Sequence, residues 1–402
     1  MGAFDIILIL IAAGFTALSM LPKIRKNIWW NATVTPLASI IGSGFLVIAP
    51  LLAAVVGSYA LAAMLGIVLL AYAVGHAIRY NIQFAEPLEG KPNAPRGLAL
   101  STRLSGASLS VAYVISVAFY IRLLASFALS LTPINNSFYE DLLATAILLA
   151  IAAIGYVRGL RGLEVVETIS VSIKLSIIIA LLVGLFWHNL GTGIWTATLI
   201  ADDVAPWTRL RMLGGMLLVV QGFETSRYLG KSYPADMRRK TMNYAQISSA
   251  LIYLAFVALV VPVLVNLPTG GKPDETAIIE ITGFVAPVLP YLLVLAALMS
   301  QLSAGIADTV GAGGLVVEES GGRIIERHAY PVLVAFSIAL IWAFDIFQVI
   351  SIASRTFAFY YMMQAVIAAL VARQNRHYGQ MAFSLTLAAL LALIVVFALP
   401  AE

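Results

Sequence analysis

Two apolar stretches of the chain each carry a glycine-bearing polar interruption. The first stretch, 37–57, is interrupted by Ile41-Gly-Ser-Gly-Phe45, and the second, 209–229, by Gln221-Gly-Phe-Glu-Thr225. Paired breaks of this kind are typical of membrane helices that unwind around a ligand, because the half-helix ends direct free N–H groups and carbonyls at it. Either glycine cluster by itself is equally consistent with close helix packing through small residues. The pairing favours a binding site.

The composition of the rest of the chain is that of a membrane protein. Of the 402 residues, 61% are hydrophobic and 11% are charged, whereas about a quarter are charged in a typical globular chain. The apolar runs do not alternate with polar residues as membrane strands do. A soluble enzyme or nucleic-acid-binding protein is therefore excluded, and the lack of cysteine excludes disulfides and thiol chemistry.

The apolar runs have the length needed to cross a bilayer, about 17 to 25 residues. The sequence therefore predicts an all-α integral membrane protein with about twelve transmembrane helices. The predicted spans are 3–21, 37–57, 60–78, 106–131, 142–157, 163–187, 209–229, 243–265, 284–312, 329–343, 345–371 and 379–399.

The distribution of basic residues predicts the orientation. Eighteen of the 24 lysines and arginines fall in one set of alternate loops, at 23–26, 79–103, 158–161, 227–240, 323–327 and 373–376, and three fall in the other set. We call the first set the basic loops. Cytoplasmic loops carry the excess of basic residues, so the basic loops are predicted to be cytoplasmic and both termini to lie outside. The predicted location is the cell membrane, as the inner membrane of a prokaryote.

The spans divide into two similar sets. We expect an extra N-terminal anchor helix and cytoplasmic linker at 1–36, core helices one to five at 37–187, core helices six to ten at 209–371, and a peripheral C-terminal helix at 372–402. Two sets with an odd number of helices have opposite membrane topology, as in an inverted repeat. Asp5, near the end of the anchor helix, is expected to need no burial.

Short motifs in these core helices resemble a known family. The stretch Ser39-Ile-Ile-Gly-Ser-Gly-Phe45 resembles the glycine signature in the first core helix of the amino acid, polyamine and organocation (APC) permeases. Gly222-Phe-Glu, with Tyr233-Pro and the basic run 238–240 after it, resembles their sixth core helix and its loop. The resemblance implies the LeuT-like five-plus-five inverted repeat, with substrate held where core helices one and six unwind. The substrate-binding residues that it implies are Ile41, Gly42, Ser43, Gly44, Gln221, Gly222 and Phe223.

Lys174 is a cation inside an apolar span. It lies eleven residues into the span that starts near 163, and so about 16 Å deep at 1.5 Å per residue. A charge there must be paired, neutral or beside a water-filled cavity. By resemblance to sodium-independent APC members, the ammonium takes the place of a sodium ion between core helices one, five and eight. The alternative is a structural pair with Glu167.

Three further polar residues are coupling candidates. Ser303 in core helix eight resembles a sodium-coordinating hydroxyl, but Ala304 follows where sodium-coupled relatives often have a second hydroxyl, so a complete sodium site is not expected. Asp308 has three open roles: a pair with Lys174, a proton relay, or exposure to the cytoplasmic vestibule. Glu224 matches a proton-sensor candidate of the family; its alternative role is to satisfy backbone groups freed by the break.

The sequence therefore predicts a secondary transporter and not an enzyme. It contains no HExxH or GxSxG motif for catalysis, and no Walker A motif for direct use of ATP. We expect a sodium-independent, proton-coupled permease for an amino acid or amine; a monovalent cation transporter or channel-like protein on the same fold is the alternative. The expected partners are a small-molecule substrate, protons and the lipid bilayer, without nucleic acid, and no cofactor is expected.

Overall fold

The described regular structure is helical. The computed structural model describes residues 2–42, 44–134, 136–160, 164–199, 204–266 and 276–400. The helices are α1 (Ala3–Ser19), α2 (Pro22–Arg25), α3 (Ile28–Ile40), α4 (Gly44–Val56), α5 (Ala60–Tyr80), α6 (Leu98–Leu129), α7 (Ser137–Arg158) and α8 (Glu164–Thr192). They continue as α9 (Pro206–Gly214), α10 (Thr225–Tyr228), α11 (Ala235–Val260), α12 (Ala277–Gly283), α13 (Leu289–Glu319), α14 (Glu326–Ala343), α15 (Ile346–Gln374) and α16 (Tyr378–Phe397).

Eight helical segments among the described residues are long and apolar enough to cross a membrane. This confirms the prediction of an all-α membrane protein. Two helices begin about two turns earlier than the predicted spans, α3 at Ile28 and α6 at Leu98. The reason is local: the Asn27 side chain accepts the backbone N–H groups of Trp29 (2.9 Å) and Trp30 (3.2 Å) and so caps α3 within a polar stretch. Hydropathy alone does not register such polar helix ends.

Both predicted interruptions are breaks in helical structure. In the first break, α3 ends at Ile40 and α4 begins at Gly44. In the second, α9 is followed by a 3₁₀ segment at Leu217–Val220, and α10 begins only at Thr225. Gly222 has φ +117, a conformation that glycine adopts without a Cβ penalty. Regular helical hydrogen bonding of the backbone therefore ends at the glycine-bearing positions where the sequence predicted the two interruptions.

Helix α6 forms the centre of the molecule. It is the most thoroughly buried of the eight spanning segments and packs on α13 and α15. Close contact with α13 needs Gly305, because a Cβ there would lie 2.7 Å from the Ile121 side chain. Helix α11 packs on α3 and α5, while α1 lies against α8 and α16 against α15. The two breaks are therefore held among buried helices.

The expectation for Asp5 is wrong. Asp5 is 3% exposed, and its carboxylate accepts the backbone N–H of Gly2 (2.8 Å) and that of Val288 (3.2 Å). Val288 precedes the first residue of α13, whose early N–H groups have no partner within the helix. The carboxylate is buried because it satisfies another helix end, which its sequence position could not reveal.

Ion pairs between buried arginines and partly exposed glutamates join several helical segments beside the basic loops. The Arg238 guanidinium on α11 donates to both carboxylate oxygens of Glu86 (3.0 and 2.7 Å) and to the carbonyl of Arg227 (2.7 Å). Arg227 pairs in turn with Glu89 at 2.7 Å and donates to the amide oxygen of Gln364 on α15. The end of α5, the short α10 and the start of α11 are thus connected by charge-assisted hydrogen bonds.

Candidate functional site

The two breaks lie in close contact with each other. A Cβ on Gly222 would lie 2.5 Å from the carbonyl carbon of Ser39 and 2.7 Å from the backbone nitrogen of Ile40. A Cβ on Gly44 would lie 2.7 Å from the Cα of Val219. Each break glycine therefore faces the backbone just before the other break, and the missing Cβ atoms set the distance between them.

Several polar groups of the second break are bonded by its own glutamate and by neighbouring helices, while Oε1 of Gln221 and Oε1 of Glu224 have no hydrogen-bond partner among the described residues. Glu224 is fully buried; its Oε2 accepts the backbone N–H of Gly222 and the hydroxyl of Tyr361, both at 2.9 Å. The Gln221 amide donates to the hydroxyl of Tyr120 on α6 at 2.6 Å. Phe223 stacks on Tyr361, with ring centroids 5.3 Å apart. Glu224 therefore has contacts that fit the backbone-satisfying role, while the proton-sensor role stays a prediction.

Lys174 joins three helices next to the first break. It is 3% exposed, and its ammonium donates to the carbonyl of Ala38 on α3 at 2.5 Å and contacts the Ser300 hydroxyl of α13 at 3.4 Å. These helices are the ones that the resemblance implies. Ser303 lies one turn further along α13 and lines the same cavity as Lys174. The side chain of Glu167, the alternative partner, lies outside the described residues.

A cavity of about 1080 Å³ extends from Lys174 toward the basic loops. Ala38 and Ser39 before the first break and Thr225 after the second line it, as do Leu160 and Gly322 beside the basic loops. Three of the predicted site residues line it: Lys174, Ser303 and Asp308. The structure therefore places three of the four coupling candidates in the cavity lining, while Glu224 lies outside it.

The predicted substrate-binding residues lie behind this cavity. Of the seven, those that the structure describes do not appear in the cavity lining and lie where the breaks meet: Ile41, Gly42, Gly44, Gln221, Gly222 and Phe223. Ser43 lies outside the described residues. In this conformation a ligand in the cavity would touch the residues that flank the breaks, Ser39 and Thr225. Contact with the break itself would require the helices to move.

The cavity wall is acidic although the chain carries a net charge of +4. Its charged side chains are Lys174, Asp308, Glu318 and Glu326, so three carboxylates face one ammonium. Asp308 is 5% exposed, and its Oδ2 has no hydrogen-bond partner among the described residues. A buried carboxylate oxygen without a donor provides a strong position for a cation or a hydrogen-bond donor.

Sequence reasoning did not identify Tyr253 on α11, whose hydroxyl contacts both breaks. A lone tyrosine in the apolar run around 253 was the available signal, because a buried hydroxyl needs a partner. Arg122 pairs with Asp141 at 3.0 Å, and Arg355 donates to the carbonyl of Val395 at 2.7 Å. Both arginines lie in contacts between neighbouring helices and not on the cavity wall.

Comparison with known proteins gives the family. A family model described as "APC superfamily transporter" matches residues 22–398, which include both breaks, Lys174 and the cavity. An uncharacterized protein of Aquifex aeolicus (strain VF5) is 45% identical over 381 residues, which cover 94% of this chain and 92% of the relative. The resemblance drawn from the two glycine motifs is thereby confirmed, and the chain belongs to the APC superfamily of transporters.

Proposed function

We propose that the protein is a secondary active transporter that moves a small organic solute, an amino acid or amine, by alternating access. One observation carries this proposal: the cavity reaches from the basic loops to the crossing of two broken helices and ends there. A site at paired helix breaks that is open toward one side fits a transporter in one of its two access states. With the basic loops in the cytoplasm, this state faces inward.

The reciprocal contacts of the breaks support the inverted repeat of 37–187 and 209–371. Gly44 of the first break meets the chain before the second break, and Gly222 of the second meets the chain before the first. Two segments related by a two-fold axis would make such reciprocal contacts. The two halves would then move against each other around the crossing.

The charges of the cavity favour a substrate with an amino group. Three carboxylates against one lysine attract a cation into the cavity, although the basic loops surround its mouth. The unpartnered oxygen of Asp308 supplies an acceptor for an ammonium group. The same acidity would suit a monovalent inorganic cation, which is the second candidate substrate.

We propose that coupling uses protons, with Lys174 as the pivot. Its ammonium donates to a carbonyl of α3 and contacts a hydroxyl of α13. A sodium ion bound at this position would need the same kind of oxygen ligands. Two positive charges would compete for this position. A protonated Lys174 holds α3 against α13 through α8, and a neutral one releases the link.

Transport in proteoliposomes tests this function. We expect uptake to respond to an imposed pH gradient, to be unchanged when choline replaces sodium, and to be damaged by Lys174→Ala. The substrate for this assay is found by thermal stabilisation of the purified protein against amino acids, amines and monovalent cations, since a ligand at a hundred times its Kd adds about 2.7 kcal/mol. Strict dependence on sodium, or full activity of Lys174→Ala, would contradict the coupling mechanism. Stabilisation by potassium or sodium alone would favour the cation transporter.

A further inference from the structure

A single tyrosine hydroxyl contacts both helix breaks. The Tyr253 hydroxyl on α11 lies 3.0 Å from the carbonyl oxygen of Ile40 and 2.6 Å from that of Val219. Ile40 is the last residue of α3, and Val219 lies in the 3₁₀ segment before the second break. The last carbonyls of a helix have no partner within it, so the hydroxyl contacts a terminal carbonyl at each break.

The chemistry of a hydroxyl makes this contact unequal. A tyrosine O–H has one hydrogen and can donate fully to only one acceptor at a time. In this conformation the shorter distance indicates that the hydroxyl donates mainly to the carbonyl of Val219, and that its hydrogen bond to the carbonyl of Ile40 is the weaker one. Tyr253 is fully buried, so bulk water does not compete for its hydroxyl. Any movement of the first break relative to the second therefore changes how the one proton is shared.

The ring and the hydroxyl of Tyr253 have separate neighbours. The ring packs edge-on against Phe45, which follows the first break, with centroids 5.3 Å apart. Phenylalanine at this position preserves the ring contact and removes only the donor. A substitution can therefore separate packing from the hydrogen bonds.

We propose that the Tyr253 hydroxyl is a positioning group that holds the two breaks in the arrangement open toward the basic loops, and that its loss shifts the protein toward the opposite access state. This inference rests on the alternating access proposed above. It adds that the two broken helices are coupled directly through α11, without substrate.

Cysteine labelling measures the access equilibrium without knowledge of the substrate. The chain contains no cysteine, so an introduced thiol is the sole reactive one. Ala304 lines the cavity on α13 one turn deeper than Ala307, nearer the breaks. In Ala304→Cys, the rate of labelling by a membrane-impermeant maleimide is measured from each side of oriented vesicles. The ratio of the opposite-side rate to the basic-side rate reports the equilibrium between the two access states.

Tyr253→Phe is expected to raise this ratio about two- to tenfold, the range that corresponds to one intramolecular hydrogen bond. Tyr80→Phe is the matched control, since Tyr80 is a buried tyrosine whose hydroxyl bonds His377 at 2.9 Å, away from the breaks; it should leave the ratio unchanged. Site-specific Tyr253→p-aminophenylalanine should lower the ratio, because its amine has two N–H donors and can satisfy both carbonyls.

The outcomes separate this inference from the proposed function. An unchanged ratio in Tyr253→Phe overturns the role of the hydroxyl even if transport persists. If Tyr253→Phe does not fold, the p-aminophenylalanine variant provides the test. An unchanged or raised labelling ratio in that variant overturns the role of the Tyr253 hydroxyl. If the cysteine in Ala304→Cys is labelled from the basic side alone in the otherwise wild-type protein, alternating access at this site is wrong and the proposed function fails first.

Discussion

At the scale of single residues, the two break glycines are needed for different reasons. Gly44 has helical geometry but faces the Val219 backbone, whereas Gly222 combines a φ of +117 with contact to the Ser39 backbone. Backbone atoms cannot rotate away as a side-chain end can. A single methyl group at either position therefore forces the two breaks apart.

We expect Gly44→Ala and Gly222→Ala each to destabilise the protein by about 1–3 kcal/mol, through overpacking and, at Gly222, backbone strain. The apparent Tm in detergent should fall for both variants. Gly66→Ala is the control, because nothing lies within 4 Å of the Cβ that it adds in α5; its Tm should stay level or rise slightly. A wild-type Tm for both break variants would show that the breaks are not in backbone contact.

Glu224 also acts at this scale, since its carboxylate combines a structural contact with a titratable group. Glu224→Gln keeps an oxygen that can accept the N–H of Gly222, so the fold and substrate binding should survive. The part of the pH dependence of uptake that arises from Glu224 should be lost, because the amide does not titrate. Uptake measured across a pH series in proteoliposomes tests this, and an unchanged pH profile would leave Glu224 only its structural role.

At the scale of elements, the short α10 depends on its neighbours. A helix of four residues between a break and a loop has little stability of its own. Arg238 on α11 holds it through the carbonyl of Arg227 and joins it to the end of α5 through Glu86. The position of the second break thus follows from ion pairs at the basic loops.

Arg238→Ala should destabilise the protein by about 1–3 kcal/mol, because it leaves the buried carbonyl of Arg227 and the partly exposed Glu86 carboxylate without their donor. The neighbouring Arg239→Ala should change stability by no more than about 0.5 kcal/mol, since its guanidinium is partly exposed and lies 3.8 Å from Asp236. Thermal unfolding of the two variants in detergent gives the comparison. Equal losses of stability would mean that the Arg238 pair contributes no more than a surface ion pair.

At the scale of the whole molecule, the basic loops define the orientation in the membrane. We expect Ser232, in the basic loop between α10 and α11, to face the cytoplasm, and Ser137, at the start of α7, to face outside. In the cysteine-free chain, Ser137→Cys should react with an impermeant maleimide in intact cells, and Ser232→Cys only after the membrane is permeabilised. Labelling in the reverse pattern would invert the topology and make the cavity of this conformation outward-facing.

The sequence by itself determined the class of fold, the positions of the breaks and the family. These features depend on local properties: in lipid every backbone group must be bonded within helices, so apolar length gives the spans and glycine-bearing polar residues give the interruptions. The intramembrane position of Lys174 followed from the same counting. The first residues of α3 and α6 could not be predicted in this way, because hydropathy does not detect capping by Asn27 or polar helix ends.

The tertiary structure alone decided which groups meet at the site. Lys174 and Ala38 are 136 residues apart in the chain, and Tyr253 and Ile40 are 213 apart. The contact of Lys174 with Ser300, the burial of Asp5 and the bridging by Tyr253 each depend on the rotation and register of one helix against another. Helix packing sets these through the shapes of many side chains at once, and a shift of one turn changes every partner while leaving the hydropathy of the sequence unchanged.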